Sequence, residues 1–320
     1  MNLSVGIVGL PNAGKSTLFN ALAARRLAET APRPFTTIEP HEAVVPVPDE
    51  NLDNLWELVQ GNLTTLRMTE AEKVPASVTF IDIAGLVKGA HQGEGLGNQF
   101  LAKIREVNAI AHVVRVFSDP FVSHSHLSHE PGSLEQVLDD IEIVNLELQL
   151  GGISGKHMIY VLNFGENQLK EPEVAQFIGS VEDKFGGQAI VVSALLEEEL
   201  TDLEPNERQE YLKEVGAKES GLTQLIKKAY ELLGLISFYT IKGGKEVHAW
   251  SIENGATALE AAAAVHTDFA KNFIKAEVIS VNQLLEARGW KEAKEEGRVK
   301  LEGKDYIVQD KDVMEFKVSA

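Results

Sequence analysis

The run Gly9-Leu-Pro-Asn-Ala-Gly14-Lys15-Ser16 fits the pattern G-x-x-x-x-G-K-[ST]. It lies between an apolar strand-like run, Leu3–Val8, and the residues Leu18, Phe19, Ala21 and Leu22 at helical spacing. That order constrains the fold more than any other feature. A glycine loop that turns a buried strand into a helix belongs at the carboxyl edge of an α/β sheet. Backbone N–H groups of Asn12, Ala13, Gly14, Lys15, Ser16 and Thr17 would converge there on an anion, helped by the partial positive charge of the helix N-terminus. The pattern assigns Lys15 to the β/γ-phosphates of a nucleoside triphosphate and Ser16 to Mg²⁺.

Further strand-like runs occur at Val78–Ile83, Ile110–Phe117, Met158–Leu162 and Ala189–Val192, with helical patterns at Ser16–Ala24, Leu96–Val107, Leu134–Leu150 and Glu173–Phe185. Strands apolar on both faces and separated by helices predict a mostly parallel sheet with helices on both faces. A closing helix spans Gly221–Leu233, and Gly234 is its stop signal. The texture then changes. Ile236–Ile241 and Glu246–Ile252 look like paired strands around Lys242–Lys245, followed by an alanine-rich helix, Ala256–Val265, and further short strands. The expected division is an α/β P-loop NTPase domain over residues 1–235 and a small α+β unit over 236–320. Alanines 261–264 read as helix propensity with close packing.

At 320 residues the chain is long enough for two or three domains. Its net charge of −18 argues against a broadly basic surface that coats nucleic acid. The acidic stretches Glu197–Glu207 and Gln136–Glu147 read as solvated helix faces. The lack of cysteine excludes disulfides, thiolate metal sites and cysteine nucleophiles, and suits a reducing cytosol. No apolar run reaches transmembrane length, and no signal segment precedes the first strand. A cytoplasmic protein with no membrane partner is expected.

Other segments complete a site around the loop. The strand Val78–Ile83 carries Asp82 at its end, a carboxylate for the Mg²⁺ shell through water, and Gly85 three residues on lets backbone approach the γ-phosphate. Thr37, in Pro34–Pro40, either completes the Mg²⁺ shell or is a surface-loop threonine. GTPases usually read guanine with N-K-x-D; here Asn163-Phe164-Gly165-Glu166 replaces Lys by Phe and Asp by the longer Glu. A displaced carboxylate loses its paired contact to guanine, so adenine becomes competitive. Ser193, Ala194 and Leu195 end the next strand, where backbone contacts to the base are expected. Leu86 stands where many GTPases carry a water-orienting glutamine, which implies slow hydrolysis or an orienting group from elsewhere.

Together G-L-P-N-A-G-K-S, D-I-A-G-L-V-K-G-A, G-E-G-L-G-N-Q-F, N-F-G-E, H-T-D-F and E-G-K-D-Y-I-V-Q-D resemble the YchF/Obg-like ATPase family over nearly the whole chain. The resemblance implies an Obg-type domain that prefers ATP, and a C-terminal TGS domain, a ubiquitin-like β-grasp module. It implies an ATPase acting on an acid anhydride, associated with the ribosome (large subunit) or RNA. Leu86 matches the family's hydrophobic replacement of the catalytic glutamine, and His124 matches a loop histidine that assists hydrolysis. His126 and His129 crowd that position, so the segment also reads as a solvated loop or a three-histidine metal site. Asn12 matches an asparagine that holds K⁺ in related enzymes. Family members usually insert a helical arm where this chain has Leu150-Gly-Gly-Ile-Ser-Gly-Lys156, of linker composition. Without the arm, the RNA cleft it helps to frame is weakened. Two other readings are a nucleotide-gated ribosome- or RNA-binding module and a GTPase with ordinary guanine preference.

Overall fold

The computed structural model describes residues 3–29, 41–65, 71–83, 96–123, 129–214 and 216–319. The chain divides into two compact units, Met1–Val45 with Val78–Leu233, and Pro46–Ser77 with Gly234–Ala320.

Numbered along the chain, the first unit opens with β1 (Ser4–Val8), α1 (Lys15–Glu29), β2 (Glu42–Pro46), β4 (Ser77–Asp82), α3 (Leu96–Glu106), β5 (Ala109–Arg115) and α4 (Leu134–Leu150). It continues with β6 (His157–Asn163), α5 (Val174–Phe185), β7 (Gln188–Val192), α6 (Ala194–Leu200), α7 (Pro205–Glu214) and α8 (Gly221–Leu232). The sheet order is β2-β4-β1-β5-β6-β7, and β4, β1, β5, β6 and β7 are mutually parallel. Parallel strands need covered crossovers, and β5 is buried along its whole length. Val144 and Leu148 of α4 pack with Ile104 of α3 over Val8 and Ile110. Ile141 of α4 and Phe177 and Val181 of α5 cover Val114, Tyr160 and Leu162. The alternate residues Ile159 and Val161 are equally buried, and α8 packs against β5, β6 and β7.

Two expectations change here. The acidic stretches are not simply solvated faces, because Gln136, Asp140, Glu147 and Glu197 are all buried. Glu197 belongs to α6, and the acidic run breaks into α6 and α7 rather than forming one helix. Its carboxylate accepts from the backbone N–H groups of Gly221 and Leu222 and from the Ser220 hydroxyl. Burial raises its pKa, and those bonds oppose the rise. A carboxylate at the first turn of α8 serves orphan donors and the helix dipole together. Residues 151–156 are likewise a built turn rather than a loose linker. Ile153 is buried and its N–H donates to Leu148 O at 2.9 Å. Arg105 Nη2 reaches Gly151 O at 2.7 Å, and Lys156 Nζ donates to Arg105 O at 3.0 Å.

The second unit comprises α2 (Glu50–Thr65), β3 (Glu72–Val74), β8 (Leu235–Lys242), β9 (Glu246–Glu253), α9 (Ala258–Val265) and α10 (Thr267–Lys271). After these come β10 (Phe273–Ser280), α11 (Val281–Ala287), α12 (Trp290–Glu295), β11 (Lys300–Glu302) and β12 (Asp312–Val318). Its sheet order is β11-β10-β12-β8-β9-β3. A division at 235/236 therefore misses residues 46–77, which join this unit. β3 pairs in parallel with β9, Glu72 beside Glu246, and Asp49 Oδ2 accepts from the Tyr239 hydroxyl at 2.7 Å. In α9, Ala258, Ala261 and Ala262 are fully buried against the sheet, and Thr257 and Glu260 form a capping box. Among the described residues no helix is long and apolar enough to cross a membrane.

Candidate nucleotide site

Among the described residues, the carboxyl ends of β1, β4, β6 and β7 carry or lead into the glycine loop, Asp82, Asn163 and Ser193, which were singled out from sequence. β1 runs into the glycine loop, where Gly9 passes so close to β5 that a Cβ would stand 2.3 Å from Val113 O. Asn12 takes a left-handed φ of 63°, a region asparagine tolerates better than most residues. Gly14 is at φ 93°, and a Cβ there would lie 2.1 Å from Asn163 Nδ2. The first bond of α1 runs from Leu18 N to Gly14 O, 3.0 Å. The N–H groups of Lys15, Ser16 and Thr17 thus lie ahead of the helical ladder, and no acidic residue occupies this first turn. Ser16 is exposed and Ala13 is buried.

Lys15 is 8% exposed, and its Nζ donates to Leu10 O at 2.8 Å across its own loop. Burial lowers its pKa to about 8, while the Asp82 carboxylate opposes the shift. Asp82 ends β4, level with Ile7 of β1. Because a phosphate needs the protonated ammonium, triphosphate affinity is expected to fall as the pH rises past about 8, approaching tenfold per unit. Calorimetric titrations between about pH 7 and 10 check this, and a flat profile would remove Lys15 from the phosphates.

Beneath the loop lie polar residues that sequence reasoning missed. His112 of β5 is 1% exposed, and burial together with the positive charge of Lys15 lowers its pKa to about 3, so the imidazole is neutral. A cavity of about 10 Å³ is lined by Leu10, Pro11, Ala13, His112, Arg115 and Asp140, space for about one water. Gln136 Nε2 donates to Arg115 O at 3.1 Å and to Asp140 Oδ2 at 2.5 Å. The Arg115 guanidinium gathers the carbonyls of Phe117 at 3.1 Å, Val122 at 3.2 Å, and Asp119 and Ser123 at 3.3 Å. Ser123 is then gripped by Asn12 Nδ2 through both its O and Oγ, each at 3.1 Å. The signal for this cluster was a histidine and an arginine inside an otherwise apolar strand, since buried charged groups demand partners.

At the other end of the loop, Asn163 is buried and joins three elements. Its Nδ2 donates to Ala13 O at 2.9 Å, and its Oδ1 accepts from Ala194 N at 2.9 Å. Phe164 is a core residue, 3% exposed, with its ring edge-on to Phe177 at 5.5 Å. The side chain is therefore spent on packing, and its N–H donates to Val192 O at 2.9 Å. Glu166 opens a short 3₁₀ turn, Glu166–Gln168, and accepts from the Tyr211 hydroxyl of α7. Ser193 and Ala194 are buried at the start of α6, whereas Leu195 is 62% exposed.

Thr37, Gly85, Leu86, His124 and His126 lie outside the described residues. His129 is described, and its Nε2 stands 3.0 Å from Asp139 Oδ2. Among the described residues, no group of three or more His, Asp or Glu side chains is arranged to hold a metal ion.

Residues 4–163 match a family model described as a 50S ribosome-binding GTPase. Residues 235–319 match the YchF C-terminal family, described as a protein of unknown function. The chain is 39% identical to the "Ribosome-binding ATPase YchF" of Bacillus subtilis, with 99% of each chain covered. The protein of that name from Escherichia coli O157:H7 is 38% identical, again with 99% of each covered. The structure of the Schizosaccharomyces pombe YchF GTPase superposes with a TM-score of 0.80 at 28% identity, covering 99% of this chain and 98% of that one. With a P-loop GTPase fold and both family models matched in order, this chain belongs to the YchF family.

Proposed function

We propose that this chain is a slow, Mg²⁺-dependent ATPase of the switch type, with the ribosome as its partner. The observation that carries the reading is the convergence of Lys15, Ser16 and Asp82 at one end of the sheet, where Lys15 feels the Asp82 charge. The exposed Ser16 hydroxyl is a hard oxygen donor suited to Mg²⁺, Thr37 is a second one in the proposal, and the Asp82 carboxylate would join the shell through water. When bound, Mg²⁺ neutralises charge on the β- and γ-phosphates. Lys15 and the backbone of residues 12–17 bind and orient the triphosphate and stabilise charge on the transferring phosphoryl group. Water attacks the γ-phosphorus, the β–γ anhydride bond breaks, and ADP leaves. Leu86 withholds the usual water-orienting amide, so turnover is slow, and His124 is assigned the assisting role. A potassium ion is proposed beside Asn12, whose Nδ2 is held by Ser123 and whose Oδ1 has the chemistry to ligate a cation.

Adenine preference rests on Asn163 with Glu166 in place of the guanine-reading aspartate, with Gly85 near the γ-phosphate and Ser193, Ala194 and Leu195 beside the base. The name of the Bacillus subtilis relative supports both the ATPase and the ribosome reading. We also assign the C-terminal unit as a TGS module and propose that the helical arm is absent. The comparison with that relative runs over 380 positions, sixty more than this chain has residues, and residues 151–156, where the resemblance leads one to expect the arm, form a closed turn; both support that reading.

Displacement of a fluorescent ATP analogue by ATP and GTP tests the reading, together with turnover in potassium and sodium buffers, with and without ribosomes. ATP is expected to bind more tightly, and turnover to need Mg²⁺, to favour potassium and to rise with ribosomes. GTP binding about tenfold tighter than ATP would overturn the adenine assignment. Undiminished hydrolysis in chelator would overturn the metal assignment.

A further inference from the structure

Glu166 occupies the position from which a carboxylate would meet the base, three residues after Asn163, and it is not a free side chain. The hydroxyl of Tyr211, in the last turn of α7, donates to Glu166 Oε1. We infer that Tyr211 sets the nucleobase preference of the site by holding one of the two carboxylate oxygens of Glu166. This inference rests on the reading that the base lies at the Asn163–Glu166 edge.

The chemistry follows from counting donors and acceptors. Guanine offers N1–H and N2–H₂ side by side, and a carboxylate that reads it must accept with both oxygens. The Tyr211 hydroxyl takes one of the acceptor sites of Oε1 and ties the orientation of the carboxylate to α7, so the two oxygens do not turn together freely toward a pair of donors. Adenine presents a single amino donor at N6, and one oxygen satisfies it. The latch discriminates because a paired contact to guanine needs both oxygens turned toward N1–H and N2–H₂ at once, which the tethered carboxylate makes only by bending or giving up its bond to the hydroxyl, whereas a contact to N6 needs one oxygen. Tyr211 stays protonated throughout the working range. Its phenol is pushed up to about 12, first by the hydrogen bond to Glu166 and then by burial and the neighbouring carboxylates of Glu166, Glu199 and Glu214. The hydroxyl is therefore a constant donor rather than a pH switch.

If Tyr211 merely fastened α7 to the 3₁₀ turn, its loss would weaken every nucleotide alike. The test is the ratio of ATP to GTP affinity on the full chain, measured by displacement of a fluorescent analogue, for wild type, Tyr211→Phe, Glu166→Ala and the double variant. Tyr211→Phe is expected to lower the ATP:GTP affinity ratio by about fivefold, mostly through tighter GTP binding. In the Glu166→Ala background the same substitution is expected to change the ratio by less than about twofold, because the carboxylate it acts through is gone. A ratio within about twofold of wild type in Tyr211→Phe overturns the inference, and so does an equal shift in the Glu166→Ala background. The two readings fail separately. A wild type that prefers GTP refutes the ATP assignment, whereas the change on removing the hydroxyl judges Tyr211 whichever nucleotide is preferred.

Discussion

Replacing Lys15 by alanine is expected to lower triphosphate affinity by about a hundredfold or more and to abolish hydrolysis, with no loss of thermal stability. The first part follows from removing the cation proposed to meet the phosphates, since truncating one partner of a desolvated charge pair costs about 2–5 kcal/mol. The second part follows from where the ammonium sits. Lys15 is 8% exposed, and burial lowers its pKa to about 8 from 10.5. A lysine whose folded pKa lies below its unfolded value opposes folding while it is charged. That opposition is full below about pH 8 and fades as the pH climbs toward 10.5. The alanine variant should therefore melt no lower than wild type at neutral pH. It should also lack the rise in stability that wild type shows as the pH climbs from about 8 toward 10.5. Calorimetry reads both quantities. Normal ATP hydrolysis by the variant would show the phosphate assignment to be wrong, and a large drop in melting temperature would make Lys15 a structural residue.

Lys15 was legible in sequence because its pattern is local. Six residues of loop, one strand before and one helix after fix its place without reference to the rest of the chain. The strands and helices of the first unit were legible for a similar reason. Val144 and Leu148, or Val114 and Leu162, announce buried faces by period alone. Residues 46–77 were not, because nothing within Glu72–Val74 tells that it lies beside Glu246–His248, more than 170 residues away. Pairing of that kind is a tertiary choice. The buried acids failed for a different reason. Glu197 looks like its neighbours Glu198 and Glu199 in sequence, and only the arrival of the Ser220–Leu222 backbone makes it a cap rather than a solvated charge. The run 150–156 misled through composition, since glycines that suit a loose linker also suit a tight turn around a buried Ile153. The strand, loop and helix around Lys15 were readable, whereas the Arg115 clasp and the Tyr211 hydroxyl needed the fold. Each joins elements that are distant in sequence or ambiguous by pattern.

The second large effect is expected at Asn163. The sequence pattern casts it as a reader of the purine, but the fold gives it another task as well. Its Nδ2 holds Ala13 O and its Oδ1 holds Ala194 N, each at 2.9 Å, in a place only 4% exposed. Removing the amide leaves a buried carbonyl of the phosphate loop and a buried N–H of α6 without their partner. At about 1–3 kcal/mol for each of the two groups, Asn163→Ala should lose about 2–6 kcal/mol of stability. The loss falls on the loop itself, since Gly14 is packed so closely on Asn163 that even a methyl group would not fit between them. A side chain that only read the base would affect ATP and leave inorganic tripolyphosphate alone. A side chain that shapes the loop should weaken both. Asn163→Ala is therefore expected to reduce the affinities for ATP, GTP and tripolyphosphate by similar factors, about tenfold or more. Tripolyphosphate binding that stays at the wild-type level while ATP binding collapses would return Asn163 to the base alone. Parallel losses would make it the residue through which the end of β6 and the start of α6 hold the phosphate cradle in shape.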